Sequence, residues 1–261
     1  HLSLRRQRQM CIRDRFYMVT ATVFATWFGS EAVLGIPATF IDGSLRDIVA
    51  DPFGAALCLI LVGVFFAAPL YRMKLLTIGD FYKRRYGRSV EVLTTLAIVL
   101  SYLGWVGAQL TALGLVFNVV SDGAISMTAG MWIGAGSILI YTLFGGMWAV
   151  AITDLVQMIV IVLGLLYIGG EVSDMVGGVS VVVDHAAAAG KLEFWPEADL
   201  KAIIAFMAAA CTMMLGSMPQ QDVFQRVQSA KSEKIAVWGS ILGGSLYFLL
   251  SLIHISEPTR R

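Results

Sequence analysis

Six apolar stretches, with a seventh begun near the end, are separated by short polar loops along the whole chain. They cover approximately residues 16–41, 53–71, 89–118, 127–147, 149–169 and 198–218, then 235–249. A helix that crosses a bilayer needs about 20 mainly apolar residues, more if it is tilted. In hydrocarbon each peptide N–H and C=O must find its partner inside the protein, which a helix does within its own segment. Composition agrees: 57% of residues are apolar, 14% are charged and the mean hydropathy is +0.76, against roughly 45–50% and about 25% for a soluble domain. The pattern predicts an all-α, multi-pass membrane protein with about seven transmembrane helices, the lipid bilayer being its first partner.

Both ends read differently from the middle. Residues 5–15 are RRQRQMCIRDR and residues 250–260 are LSLIHISEPTR. Both look like transposase sequencing adapters translated in frame, so residues 1–15 and 250–261 are read as adapter-derived and 16–249 as the membrane-spanning core fragment. Setting the ends aside leaves 12 Lys/Arg against 16 Asp/Glu, a formal charge of −4. Two cysteines remain, Cys58 and Cys211, both inside apolar runs, where cysteine acts as a small hydrophobe. The chain carries no disulfide framework, catalytic triad, phosphate-cradling loop or metal-ligand spacing. An enzyme and a resident cofactor are therefore not expected. The basic runs FYKRRYG (81–87) and FQRVQSAKSEK (224–234) flank apolar segments and are explained by topology, with no nucleic-acid partner.

Orientation follows from Lys and Arg in short loops. Arg72, Lys74, Lys83, Arg84, Arg85 and Arg88 follow the second stretch, and Arg226, Lys231 and Lys234 follow the sixth. The opposite loops hold only Arg46, Lys191 and Lys201. The richer side is expected to face the cytoplasm, across the inner (cytoplasmic) membrane of the cell. The five helices in 16–169 then end outside and the sixth enters from outside, which inverts one half against the other. Inverted-repeat transporters break the first helix of each half near mid-membrane. The first stretch holds Gly29, Ser30, Glu31, Gly35 and Pro37, and the sixth holds Thr212, Gly216, Ser217 and Pro219, poor material for continuous helix. Between the fifth and sixth stretches a long loop, VGGVSVVVDHAAAAGKLEFWPEAD at 176–199, can carry a short amphipathic helix near 179–189, with His185 a solvated residue.

Three segments resemble the sodium:solute symporter family. Residues 135–157, AGSILIYTLFGGMWAVAITDLVQ, join two apolar helices through Gly145 and Gly146 and continue past Thr153 and Asp154, similar to the family signature. Residues 21–40, ATVFATWFGSEAVLGIPATF, are similar to its broken first core helix. Residues 216–234, GSMPQQDVFQRVQSAKSEK, are similar to the end of its sixth core helix and the loop that follows.

The resemblance implies an incomplete five-plus-five inverted-repeat core and sodium-coupled symport of a small organic solute. Helices one, two, six and seven would rock against the rest, with Na+ as coupling ion and no cofactor. It places Na+ against the backbone carbonyls of Ala25 and Phe28, and assigns Asp154 to the path of ion release; a helix N-cap is the alternative role for Asp154 or Thr153. Around the same break, Trp27, Gly29, Ser30 and Glu31 would face solute, with Trp105 and Gln109 one turn apart on the third helix. Members with proline-like substrates carry an aspartate where this chain has Trp27. The runs ATWFG and SYLGWVGAQLTALG look most like the choline-transporting branch, in which aromatic faces hold a quaternary ammonium. Gln220 stands where that branch has a tryptophan after Pro219. The rival reading is the same membrane module serving as the sensor of a histidine kinase.

Overall fold

The structure, a computed structural model, describes residues 15–75 and 77–253. Of the ends read as adapter-derived, residues 1–14 and 254–261 lie outside the described residues. Among the described residues the fold is helical without strands, which bears out the all-α membrane architecture. Five helices are long and apolar enough to cross a membrane, and seven spans result if each of two bent pairs is one.

In chain order the helices are α1 (Phe16–Trp27), α2 (Glu31–Asp42), α3 (Val49–Met73), α4 (Ile78–Tyr86), α5 (Arg88–Val120), α6 (Met127–Gly146), α7 (Trp148–Met175), α8 (Val179–Ala188), α9 (Leu200–Gly216), α10 (Gln221–Ser229) and α11 (Glu233–Ser251). The bent pairs are α1 with α2, at 57°, and α9 with α10, at 43°. Two compact units result. Among the described residues, one comprises 75 and 77–153, and the other 15–74 together with 154–253.

In the first unit, α4 opens with a capping box: Thr77 accepts from the Asp80 N–H at 3.2 Å while the Asp80 carboxylate accepts from the Thr77 N–H at 3.0 Å. Two free amides are satisfied reciprocally in this way. Helices α5 and α6 approach through glycines. A Cβ on Gly114 would sit 2.6 Å from the Met127 carbonyl oxygen, and one on Gly130 2.8 Å from Phe117 Cβ. Small residues let membrane helices close on each other where no solvent drives them together. Along α5 only Gly114 is buried, leaving an apolar surface suited to lipid. Gly146 separates α6 from α7 with φ 56° and ψ −154°, a conformation essentially reserved for glycine. The paired glycine of the signature thus has a backbone reason.

In the second unit α1 is the most enclosed element, with seven of its 12 residues buried. It packs on α11 through a glycine stripe. A Cβ on Gly239 would lie 2.7 Å from Val19 Cγ1, one on Gly243 2.8 Å from Val23 Cγ1, and one on Gly244 2.8 Å from Leu59 Cβ of α3. Val19, Val23, Cys58, Leu59 and Val62 form one core, joined by Val223 and Val227 of α10. A second core gathers Phe24, Phe28, Ala32, Ile36 and Phe40 against Ala55, Ala56, Tyr247 and Leu250. The segment after α2 is tied to the loop after α8: the Leu45 N–H donates to the Lys191 carbonyl at 2.9 Å and the Arg46 N–H to that of Glu193 at 3.1 Å.

Candidate functional site

The backbone break at residues 28–30 follows from local chemistry. Gly29 and Ser30 have little to hold a helix, and the chain takes a tight reversal there. Phe28 adopts φ −83° and ψ 73°, and the Gly29 N–H donates to the Trp27 carbonyl at 3.0 Å. These are the marks of an inverse γ-turn. In a continuous helix that N–H would go to the Ala25 carbonyl, so the turn takes Ala25 out of the regular ladder. Helix resumes as the Val33 N–H donates to the Gly29 carbonyl at 3.2 Å. The first turns of α2 are wide, with the Ile36 N–H reaching the Glu31 carbonyl five residues back. Single wide turns of this kind recur at functional sites.

Aromatic packing fixes the bend. Phe28 is 4% exposed, stacks on Phe24 at 5.0 Å between ring centres and meets Tyr247 edge-on at 5.8 Å. The Tyr247 hydroxyl donates to the carboxylate of Asp51, a residue in extended conformation just ahead of Pro52. Ala25, Gly29 and Ser30 are half-buried and Glu31 is exposed. The named residues of the break therefore lie together in the second unit. Trp105 and Gln109 belong to the first, where Trp105 is 40% exposed and packs edge-on against Tyr102 at 6.2 Å.

A polar cluster closes the α1 side of the break. The Trp27 indole N–H donates to Asp222 at 3.1 Å. Four residues on, Arg226 Nε donates to the Thr26 hydroxyl at 2.9 Å, and its Nη2 lies 3.4 Å from Asp154 Oδ2. The Thr26 hydroxyl in turn donates to the Thr22 carbonyl at 2.6 Å. The Arg226 and Asp154 side chains are only 12% and 11% exposed. Asp154 does not cap its helix: α7 begins at Trp148, and Thr153 turns its hydroxyl back to the Val150 carbonyl at 2.8 Å.

Asp222, Arg226 and Thr26 were not among the sequence-derived site residues. Arg226 was counted among cytoplasmic loop cations, and the segment was read as loop. The available signal was Val223, Phe224 and Val227, an apolar face at helical spacing. All three are buried in α10, which turns Asp222 and Arg226 toward α1 and α7.

The sequence profile of the sodium:solute symporter family matches residues 15–257. The high-affinity choline transporter 1 of Torpedo marmorata is 31% identical over 222 residues, which is 82% of this chain and 37% of that protein. The human high affinity choline transporter 1 is 30% identical over 217 residues, again 82% of this chain and 37% of the relative. The rabbit sodium-dependent multivitamin transporter is 26% identical, over 84% of this chain and 35% of its own length. The chain thus spans less than two-fifths of the length of these curated relatives. A match over nearly all the residues that form these helices means that the chain belongs to the sodium:solute symporter family.

Proposed function

We propose that this chain is part of a sodium-coupled symporter that carries a small organic solute inward across the cytoplasmic membrane. The observation that carries the proposal is the γ-turn at residues 28–30, in a family named for sodium:solute symport. An unwound membrane helix offers carbonyl oxygens to a hard cation without burying a fixed charge. Na+ is assigned to the carbonyls of Ala25 and Phe28. Solute is assigned to Trp27, Gly29, Ser30 and Glu31, with Trp105 and Gln109 from the third span.

Asp154 is assigned to ion release. A buried carboxylate in a membrane helix is costly and so favours a functional role, and its burial beside Arg226 supports that assignment. Spans one, two, six and seven fall in one compact unit together with most of span five, and spans three and four fall in the other; rocking of spans one, two, six and seven against the rest belongs to the proposal.

Among solutes, a quaternary ammonium of the choline type comes first. The choline transporters align over 82% of the chain, and Trp27 supplies a ring, held by Asp222, next to the break. A desolvated cation on a tryptophan face gains about 2 kcal/mol. The test is uptake by the full-length protein from the intact reading frame, in Na+ and in K+, across amines, amino acids, sugars and carboxylates. Stimulation by Na+ over K+ is the expected result, and equal rates for every solute would remove the coupling. Competition by a carboxylate but not by choline would remove the ammonium assignment alone.

A further inference from the structure

The geometry points to Arg226 as a latch on α1: it occupies two oxygens, Asp154 Oδ2 and Thr26 Oγ1, and a Na+ ion arriving at Asp154 displaces it, as K+ does not, and frees α1. The inference rests on the sodium-coupled reading above and adds a residue and a competition to it.

Four observations carry it. First, Arg226 ties together three elements that are separate in sequence, α1 through Thr26, α7 through Asp154 and its own α10. Second, the pair is largely buried, so solvent screens its charges only weakly. Third, the pair is loose. Its 3.4 Å separation exceeds the roughly 2.7–2.9 Å of a close charge-assisted bond. Arg226 Nη1 and Asp154 Oδ2 are also buried without a hydrogen bond among the described residues. A buried ion pair recovers its desolvation cost only with good geometry and further hydrogen bonds, so this one is poised to exchange. Fourth, the two oxygens that Arg226 engages are hard donors, the ligand type that small alkali cations prefer.

The competition has a simple logic. Arg226 and the cation cannot both hold the Asp154 carboxylate at close range, because each brings a full positive charge to a dry site. When the cation takes Asp154, Arg226 loses its counter-charge and its hold on Thr26 weakens with it. Of the polar ties described at the end of α1 before the break, the one from Trp27 to Asp222 then remains. Arg226 is a positioning residue here, acting on α1 through Thr26 and Asp154.

The test uses the full-length protein in membrane vesicles, with native cysteines replaced and Thr22→Cys as reporter. Thr22 is 1% exposed, one turn before Thr26 on α1. Labelling by a membrane-impermeant maleimide is timed in Na+ and in K+ at equal ionic strength. Labelling is expected to be slow in K+ and faster in Na+ by roughly fivefold or more, the low end of ordinary coupling between two sites. Arg226→Gln and Asp154→Asn are each expected to label fast in both salts, and Arg226→Lys to keep part of the Na+ response. Equal labelling of the parent protein in Na+ and K+ would reduce the pair to a structural tie and overturn the latch. So would persistent protection in Arg226→Gln. Uptake is read separately: Na+-driven transport with cation-blind labelling refutes the latch alone, whereas cation-dependent labelling without Na+-driven transport refutes the symport reading alone.

Discussion

The two halves of the bent first span are fastened by opposite means, α1 where it meets the break and α2 where it leaves the span. The α1 end is held by Arg226, Asp154 and Thr26 in a buried cluster, with Trp27 tied to Asp222 beside it. The α2 end is held at the surface. Lys191 Nζ donates to the Ile41 carbonyl at 2.7 Å, as a cation favourably does at a helix C-terminus. Arg46 meets Glu193 at 3.1 Å, with side chains 29% and 64% exposed. The same kinds of charged group do different jobs at the two ends because their surroundings differ. In the dry cluster each charge depends on its partner, whereas water can replace either partner at the surface.

The sharpest way to break the contrast is to remove one member of the buried pair. Asp154→Ala leaves the Arg226 guanidinium buried without counter-charge and is expected to cost about 3–5 kcal/mol of stability, read as a lowered unfolding midpoint in detergent. A loss below 1 kcal/mol would show that the cluster is wet. Gly243→Val tests whether packing holds α1 from its other face. The added carbons meet Val23 and the Thr20 carbonyl, and overpacking of this kind costs about 1–3 kcal/mol.

Tyr247→Phe probes the turn between the two ends. It keeps the ring against Phe28 but removes the donor to Asp51, with an expected loss of about 1–3 kcal/mol. The smallest effect belongs to the surface: Arg46→Ala is expected to cost about 0.2–1 kcal/mol. That loss should fade as salt is raised, because exposed pairs are screened within about 10 Å at 0.1 M. An Arg46 effect as large as that of Asp154 would erase the distinction.

The legible and illegible parts of this fold divide by range along the chain. The break at residues 28–30 was readable because Gly29 and Ser30 interrupt an apolar run and Glu31 follows at once. The bend at Gly146 was readable as a signature, although only the backbone shows the positive φ that demands glycine. The polar cluster was not readable. Asp222 and Arg226 are four apart, a spacing that suggests a pair along one helix, yet the structure sends one to Trp27 and the other to Asp154. Each partner lies too far away in sequence for any periodicity to announce it. The same holds for Asp51 and Tyr247, 196 positions apart. Counting Lys and Arg by loop also treats Arg226 as a marker of side when its guanidinium is mostly enclosed.

The glycine stripe of α11 has a mechanical consequence. Where Gly239 and Gly243 meet Val19 and Val23, α11 presents bare backbone, with no compressible layer between the helices. A lengthwise slip of one residue would drive valine methyls into main chain, so gliding is barred while tilting in unison is not. Whatever displacement the bent span undergoes, α1 and α11 must undergo it as a single stiff spar, and flexure has to be found at the γ-turn instead.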